Sequence, residues 1–179
     1  MQLVLHKIYL ASFVILFVCC SNEHRKSPQN YNLTQNNKEA IKKQFIKANQ
    51  QLIQKEKDEL DYYEKTHKLS FINTNSGVRY FVYHHSAKGD SIRDSTEIIM
   101  SYRVNLLDGT ECYSSEISGK KKFVVGMEEI ESGIHIGVKY LKRGDKALIL
   151  IPSHLAHGLL GDFKKIPPQM PIVYDVKIE

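Results

Sequence analysis

The sequence predicts an α+β fold in which a twisted antiparallel sheet of about five strands wraps around one short helix, preceded by a long helix. In residues 70–179, apolar side chains recur at every second position, as in Ile98, Met100 and Tyr102, which is the period of a half-buried strand. One helical pattern interrupts these strands late in the chain. Upstream, residues 36–69 contain no glycine or proline and carry apolar residues at helical spacing.

The long N-terminal helix is predicted from apolar residues spaced by four, three and four positions, namely Ile41, Phe45, Ala48 and Leu52. This stripe fades near Glu56 and resumes at Leu60 and Tyr63. A helix with one narrow apolar stripe must dock on something. Its own domain, a second copy of the chain and a partner protein all remain open for the 36–67 segment, because no sequence feature separates them.

The strands of the C-terminal half are predicted in order. Val78, Tyr80 and Val82 mark the first, and residues 98–106 form the clearest alternation. Asp108-Gly109 closes this strand as a hairpin turn, and both central turn positions are expected at positive φ. Return strands follow at 111–114 and 123–125, and later strands at 147–151 and in a final run with Ile172, Tyr174, Val176 and Ile178 directed inward.

The short helix is predicted over 128–141. Its buried stripe consists of Ile130, Ile134, Val138 and Leu141. Gly133 and Gly137 lack a Cβ, so they permit close approach of the helix to the sheet.

The N-terminal residues resemble a secretory signal. An apolar run over 8–18 is too short to span a bilayer comfortably and ends in Cys19-Cys20-Ser21. We expect 1–19 to be a signal peptide, Cys20 to carry a lipid and 20–35 to be a polar tether. Cys19 as the anchor, an ordinary cleaved signal and an uncleaved anchor are the alternatives. The expected location is the bacterial cell envelope, as a membrane-anchored lipoprotein facing the periplasm.

Charge and residue type predict no nucleic-acid partner, no bound metal ion and no cofactor. The net charge of +5 is modest for 179 residues, and basic and acidic residues are interleaved. The histidines that invite a metal hypothesis lack metal-ligand spacing; they are His84, His85, His135, His154 and His157. Beyond the N-terminal pair the chain has only Cys112, so no disulfide framework exists, and we expect this cysteine to be buried.

The motifs of residues 70–179 resemble the FKBP-type peptidyl-prolyl cis–trans isomerases in kind, order and spacing. They are Val104-Asn105-Leu106, Asp108-Gly109-Thr110, Ser114-Ser115, Gly126, Gly133, Gly137, Gly144-Asp145-Lys146, Ile151-Pro152-Ser153, Leu155-Ala156-His157-Gly158, Ile166-Pro167-Pro168 and Tyr174-Asp175-Val176. An anchor, a tether and a helix before such a domain resemble the FKBP lipoproteins associated with gliding motility. The resemblance implies an FKBP-like fold.

The resemblance also implies an apolar pocket for proline between sheet and helix. Tyr102 matches an aromatic residue on the sheet floor, Phe123 one on the return strand, and Ile130 the aliphatic residue that begins the helix. Glu131 lies where the family's backbone N–H reaches a substrate carbonyl. The aliphatic and aromatic residues that close the pocket correspond to Ile166 and Tyr174. Considered without the resemblance, Tyr102 and Phe123 fit an ordinary core equally well.

Three positions depart from the family pattern. Cys112-Tyr113 stands where Phe-Asp is usual, Ile134 where a Trp forms the pocket base, and His157 where a Tyr hydroxyl donates a hydrogen bond. Loss of the Asp removes a carboxylate that orients other polar groups, so the expected activity is weakened. Hydrogen-bond donation by the His157 imidazole would depend on pH.

Three functions are therefore compared. The first is isomerisation of X–Pro bonds in exported proteins, which requires no cofactor and acts on proline-containing polypeptides. The second is a proline-peptide-binding or chaperone module without useful turnover. The third is a structural lipoprotein of a motility apparatus that uses the 36–67 helix. The residues at 113 and 157 favour the second and third, whereas the pocket frame favours the first.

Overall fold

A computed structural model describes residues 35–127 and 129–179 of the chain. The chain divides into two compact units, 1–42 and 43–179, and all packing described below lies within the second. The predicted signal peptide, the Cys20 anchor and the tether before residue 35 lie outside the described residues. None of the described helices is both long and apolar enough to cross a membrane.

The described residues contain three α-helices, seven β-strands and a 3-10 helix. In chain order they are α1 (Gln35–His67), β1 (Ile72–Asn73), β2 (Arg79–His84), β3 (Glu97–Leu106), β4 (Glu111–Ser114), α2 (Ser115–Ser118), β5 (Lys121–Val124), α3 (Ser132–Val138), β6 (Lys146–Ile151), the 3-10 helix Ser153–Leu155 and β7 (Ile172–Ile178).

The strands form one antiparallel sheet in the order β1-β2-β6-β7-β3-β4. β4 pairs with residues 103–105 of β3 and β5 with residues 97–100, so two short strands share one edge of β3. The sheet therefore has seven strands rather than about five, because this edge position is split and the two-residue β1 extends the opposite edge. The predicted α+β class, with a long helix before a twisted antiparallel sheet, is confirmed.

Glycines set the distance between α3 and the sheet. A Cβ built on Gly133 would lie 2.2 Å from Cγ2 of Ile151, and one on Gly137 would lie 2.7 Å from Cγ2 of Ile149. Both distances are far inside van der Waals contact, so any larger residue would push α3 away from β6. The predicted close approach at these two glycines is confirmed.

The short helix is shorter than the predicted 128–141. Glu131 precedes it with φ −52° and ψ 127°, which is outside the helical region, and α3 begins at Ser132. At the other end, the backbone N–H of Leu141 donates to the carbonyl of Val138, which is a tightened turn rather than a continued helix. The predicted stripe is nevertheless buried, since Ile134 and Val138 are fully covered.

The turn between β3 and β4 differs from the expected hairpin. Gly109 has φ 89°, but Asp108 is not among the positive-φ residues. The Asp108 carboxylate instead accepts the backbone N–H of Thr110 at 2.9 Å, and the Leu106 N–H donates to the Thr110 carbonyl at 2.9 Å. The expectation of positive φ at both central positions is therefore wrong for Asp108, because its side chain stabilises the loop without a left-handed backbone.

The C-terminal part of α1 covers the sheet face opposite α3. Leu60 is 2% exposed and packs in an apolar cluster with Phe71, Leu150 and Val173. In the same interface, the buried guanidinium of Arg79 lies 2.5 Å from a Glu64 carboxylate oxygen of α1. The sheet is thus covered on both faces, and this part of α1 belongs to the domain.

The stripe predicted for the long helix docks on the domain in its second part, at Leu60 and Tyr63. In the first part of that stripe Phe45 is 64% exposed, whereas Leu60 is buried. Glu56, where the stripe fades, is also buried. The docking face combines carboxylates with apolar side chains. The apolar stripe fades at Glu56, although this residue is part of the contact between α1 and the rest of the domain.

Candidate active site

The predicted apolar pocket residues meet beside α3. Tyr102 of β3 and Tyr174 of β7 are buried, with their ring centroids 6.1 Å apart. The remaining buried members, from β5, α3 and the loop after β6, are Phe123, Ile134 and Ile166. Ile130 is partly buried against the same cluster. The fold thus brings six side chains, from positions 102 to 174, together in one apolar cluster.

A carboxylate lies at the edge of this cluster. Oε1 of Glu131 accepts a hydrogen bond from the Tyr174 hydroxyl at 2.9 Å and lies 3.2 Å from Nε2 of His157. Nζ of Lys121 is 3.8 Å from the other carboxylate oxygen and 5.6 Å from the centroid of the Tyr102 ring. Burial, together with the nearby Glu131 charge and hydrogen bond, raises the pKa of Tyr174 well above its ordinary value.

Two polar atoms of this group are buried without a hydrogen bond. Within the described part of the chain, the buried side-chain atoms lacking such a partner are Oε2 of Glu131 and Nε2 of His157. An unsatisfied buried polar atom costs about 1–3 kcal/mol. A bound ligand with suitable polar groups would remove this cost, so the arrangement favours a polar contact beside the apolar cluster.

Tyr113 pairs with a carboxylate that sequence analysis missed. Its hydroxyl donates to Asp162, in the loop 152–171 between β6 and β7. The same carboxylate accepts three backbone N–H groups at 2.8–2.9 Å, those of Lys164, Lys165 and Ile166. The loop segment that positions Ile166 is therefore fastened to β4 through Tyr113.

The Tyr113–Asp162 pair shifts both pKa values. Burial alone would raise the pKa of the Asp162 carboxyl, but the hydrogen bonds from Tyr113 and the backbone outweigh burial and hold that pKa well below its usual range. The hydrogen bond to Asp162, with partial burial, raises the pKa of Tyr113 to about 12. Both shifts favour a neutral phenol bonded to a charged carboxylate at neutral pH.

His157 enters the site from the start of the same loop. Its side chain is 23% exposed. The following residue, Gly158, donates its backbone N–H to the Ser153 carbonyl at 2.7 Å, and its own carbonyl accepts the Gln169 N–H at 2.9 Å. The position of the imidazole therefore depends on the two ends of the loop.

Asp162, Lys121 and the carboxylate of Glu131 were not predicted from the sequence as members of the site. For Asp162 a signal was present, because an aspartate in a polar loop commonly accepts backbone N–H groups two or more residues later. For Glu131 the family resemblance assigned a role only to the backbone N–H, so no role was predicted for the side chain. Lys121 carries no pattern that separates it from the adjacent Lys120 and Lys122.

Other candidate groups have structural roles. Nδ1 of His135 accepts the Gly126 N–H at 2.9 Å. Cys112 is 1% exposed, as expected for a buried strand residue, and burial is the main cause that raises the pKa of its thiol. Across residues 35–127 and 129–179, no group of three or more histidine, cysteine or acidic side chains is arranged to hold a metal ion.

Replacing Asp162 by asparagine is expected to lower the free energy of unfolding at neutral pH by about 1–3 kcal/mol. A depressed carboxyl pKa stabilises the fold above the unfolded-state value of about 3.9, and this contribution is lost as pH falls through the lower folded-state pKa. The difference between wild type and Asp162→Asn should therefore shrink in acid. Urea unfolding between about pH 6 and pH 2.5 measures it. A difference that stays constant with pH would contradict this assignment.

The fold and its buried side chains define a class: a twisted antiparallel sheet with a short helix on one face and an apolar cluster that contains Tyr102, Phe123 and Tyr174. The model of the family described as FKBP-type peptidyl-prolyl cis-trans isomerase matches residues 89–179. This match covers more than half of the chain, and the chain belongs to that family.

Individual relatives agree with this assignment. The FKBP-type peptidyl-prolyl cis-trans isomerase FkpA of Escherichia coli K12 is 30% identical over 118 residues, which are 66% of this chain and 43% of the relative. FkpA of Buchnera aphidicola is 28% identical over 105 residues, 59% of this chain and 42% of the relative. The chain thus spans less than half the length of these relatives. The crystal structure of E. coli FkpA matches with a TM-score of 0.58 and 26% identity, over 82% of this chain and 72% of that one.

Proposed function

We propose that this protein is a peptidyl-prolyl cis–trans isomerase acting on X–Pro bonds of exported proteins in a bacterial cell envelope. The observation that carries the proposal is that one buried apolar cluster, in a member of this family, contains the side chains expected to line a proline pocket: Tyr102, Phe123, Ile134, Ile166 and Tyr174. In the proposal, this cluster forms the apolar floor of a cleft and the Glu131 and His157 side chains form its polar side, which fits a proline ring with flanking carbonyls.

The cleft suits the chemistry of prolyl rotation. Twisting the bond breaks amide resonance and faces a barrier of about 18–20 kcal/mol. A twisted amide is less dipolar than a planar one, so transfer into an apolar, water-poor cleft disfavours the planar ground state relative to the twisted transition state. No nucleophile or bond cleavage is needed. What the site must supply is shape, exclusion of water and donors for the neighbouring carbonyls.

His157 and Glu131 supply the polar side of this mechanism. The imidazole takes the position of the family's hydroxyl donor, and an N–H at Nε2 would donate to a substrate carbonyl. Glu131 accepts from Tyr174 and lies beside His157, so it holds the two side chains together at the cleft wall. Tyr113, in place of the usual aspartate, acts through Asp162 by fastening the loop that carries Ile166.

The test is a prolyl isomerase assay on purified protein, followed by NMR exchange on an Ala-Leu-Pro-Phe peptide, with and without a macrolide that blocks the family pocket. Turnover above the uncatalysed exchange, which takes tens to hundreds of seconds, is expected. Absence of turnover from a folded sample would overturn the proposal.

The location and the motility link belong to the same proposal. The apolar run before Cys20 supports export and lipidation, and the resemblance to motility-associated lipoproteins supports a role in gliding. Mass spectrometry of the mature N-terminus should find an acylated Cys20. An unmodified cysteine at a cleaved N-terminus would remove the lipid anchor from the proposal, and an intact signal peptide would replace it by an uncleaved anchor. A deletion strain with normal gliding would remove the motility role.

A binding or chaperone function is the second candidate, and one observation favours it. The loop that carries His157 also exposes three large apolar side chains, Leu159, Leu160 and Phe163, at 64%, 65% and 82% exposure. Such side chains beside a proline cleft would hold an unfolded chain. Replacing all three by serine should abolish suppression of aggregation of an unfolded substrate while leaving tetrapeptide turnover intact. Unchanged suppression would exclude this surface.

We also propose that the exposed part of α1 contacts a second copy or a partner protein. Phe45, Ile46 and Ile53 are 64%, 48% and 60% exposed on one helix. Sedimentation of wild type and of Phe45→Ser/Ile53→Ser tests a homodimer. If the wild type is a monomer, the homodimer is excluded and a partner protein remains the proposed contact. If deletion of these residues does not affect capture of a partner, that contact is excluded as well.

A further inference from the structure

The carboxylate of Glu56 is buried between α1 and the start of the active-site loop. Glu56 is 4% exposed, and Ser153 is 2% exposed. One carboxylate oxygen accepts the Ser153 backbone N–H at 2.9 Å, and the other accepts the Ser153 hydroxyl. A buried carboxylate is costly unless its oxygens are hydrogen-bonded, and here both bonds go to one residue. This residue is the first of the 3-10 helix after β6.

From Ser153 a chain of hydrogen bonds leads to His157. The Ser153 carbonyl accepts the backbone N–H of Ala156 at 3.0 Å and of Gly158 at 2.7 Å, so residues 153–158 form one closed turn. His157 lies within this turn. The Gly158 carbonyl then accepts the Gln169 N–H at 2.9 Å, which joins the turn to the far end of the loop.

Two carboxylates thus hold the loop at two points: one belongs to the loop itself and the other to α1. Asp162 fastens its middle to Tyr113 of β4. Glu56 fastens its beginning to α1. The family model begins at residue 89, so Glu56 lies in a segment that the shared domain does not include.

We propose that Glu56 is a positioning residue for the isomerase site, through which the docked part of α1 sets the placement of His157. The proposal rests on the proposed isomerase activity. It assigns α1 a role beyond tethering, because a force or partner that moves the helix at Glu56 would also move the base of the loop. Small displacements of a polar group at a reacting centre have large effects on rate.

The experiment compares three variants with the wild-type chain. Glu56→Ala removes both bonds to Ser153. Glu56→Gln retains them, because its amide oxygen accepts the Ser153 N–H and its NH₂ donates to the hydroxyl oxygen. Glu64→Ala is the matched control, since it removes a carboxylate of the same helix that bonds to Arg79 of β2 rather than to the loop.

Two readouts are taken at a temperature where every variant is folded. The first is kcat and KM for prolyl isomerisation. The second is hydrogen exchange of the Gly158 and Gln169 amides, which does not depend on activity. We expect Glu56→Ala to lower kcat/KM about tenfold and to speed exchange at both amides about tenfold, with Glu56→Gln and Glu64→Ala within about twofold of wild type.

Equal effects of Glu56→Ala and Glu64→Ala, or wild-type rate and exchange in Glu56→Ala, overturn the proposal. If Glu56→Ala does not fold, Ser153→Ala takes its place, because it removes one of the two bonds, and about a threefold change in both readouts is expected. If the wild type itself shows no turnover, the isomerase assignment fails, and the exchange readout still decides whether Glu56 positions the loop.

Discussion

Replacing Leu60 by alanine is expected to lower the free energy of unfolding by about 2–4 kcal/mol, as for other fully buried leucines. Leu60 is 2% exposed and packs on Phe71, Leu150 and Val173. Truncation would leave a cavity between α1 and the sheet, because the backbone of a strand and a helix can close only part of the space. The loss is comparable to that from a central core residue, although Leu60 precedes the residues that the family model matches.

Urea unfolding followed by circular dichroism measures this loss. Ile53→Ala is the matched control, since Ile53 lies on the same helix but is 60% exposed, and its effect should stay within about 0.5 kcal/mol. A Leu60→Ala effect as small as that of the control would mean that α1 does not form part of the folded core in solution.

Replacing Tyr102 by alanine is expected to reduce kcat/KM for a prolyl peptide by about 10- to 100-fold, the range for truncating a central aromatic contact. The ring is 9% exposed at the cleft floor, and its removal admits water where the apolar environment is needed. Tyr174→Leu should have a similar effect, because it removes both a ring and the hydroxyl that bonds to Glu131.

Assays at low temperature, with circular dichroism to establish folding, separate this loss from instability. Tyr62→Ala, a truncation of a tyrosine that is 70% exposed on α1, should leave turnover unchanged. Tyr174→Phe isolates the hydroxyl, and a rate between those of wild type and Tyr174→Leu is expected. Wild-type turnover in both Tyr102→Ala and Tyr174→Leu would place the active site elsewhere.

The sheet and α3 could be predicted because they depend on short-range pattern, whereas the apolar side chains proposed for the site were identified by the family resemblance. Alternation identified β3, and glycine spacing identified the close approach of α3 to β6. The long helix was also evident, with Leu60 and Tyr63 in its predicted stripe, but the polar members of its docking face were not predicted. Arg79 illustrates the reason: it occupies the outward side of β2, where an arginine normally faces solvent, yet it is 5% exposed because Glu64 of α1 covers it.

Polar contacts between distant segments were the part that could not be predicted. Glu56 and Ser153 are 97 positions apart, and Tyr113 and Asp162 are 49 apart. No periodicity connects such pairs, and either partner could equally be solvated. The resemblance identified Tyr113 and His157 as departures from the family, but the carboxylates that accompany them, Asp162 and Glu131, became apparent only from their positions in the fold.

The buried carboxylate of Glu131 has a consequence for inhibitor selectivity. A compound whose carbonyl oxygen faces Oε2 of Glu131, rather than the His157 imidazole, would place an acceptor against another acceptor. One that presents an amine or amide N–H would instead donate to Oε2, which makes no hydrogen bond in the structure and lies 3.8 Å from Nζ of Lys121. Compounds designed with a donor at that point should therefore discriminate this protein from relatives whose cleft lacks a carboxylate there, and Glu131→Gln should erase the preference.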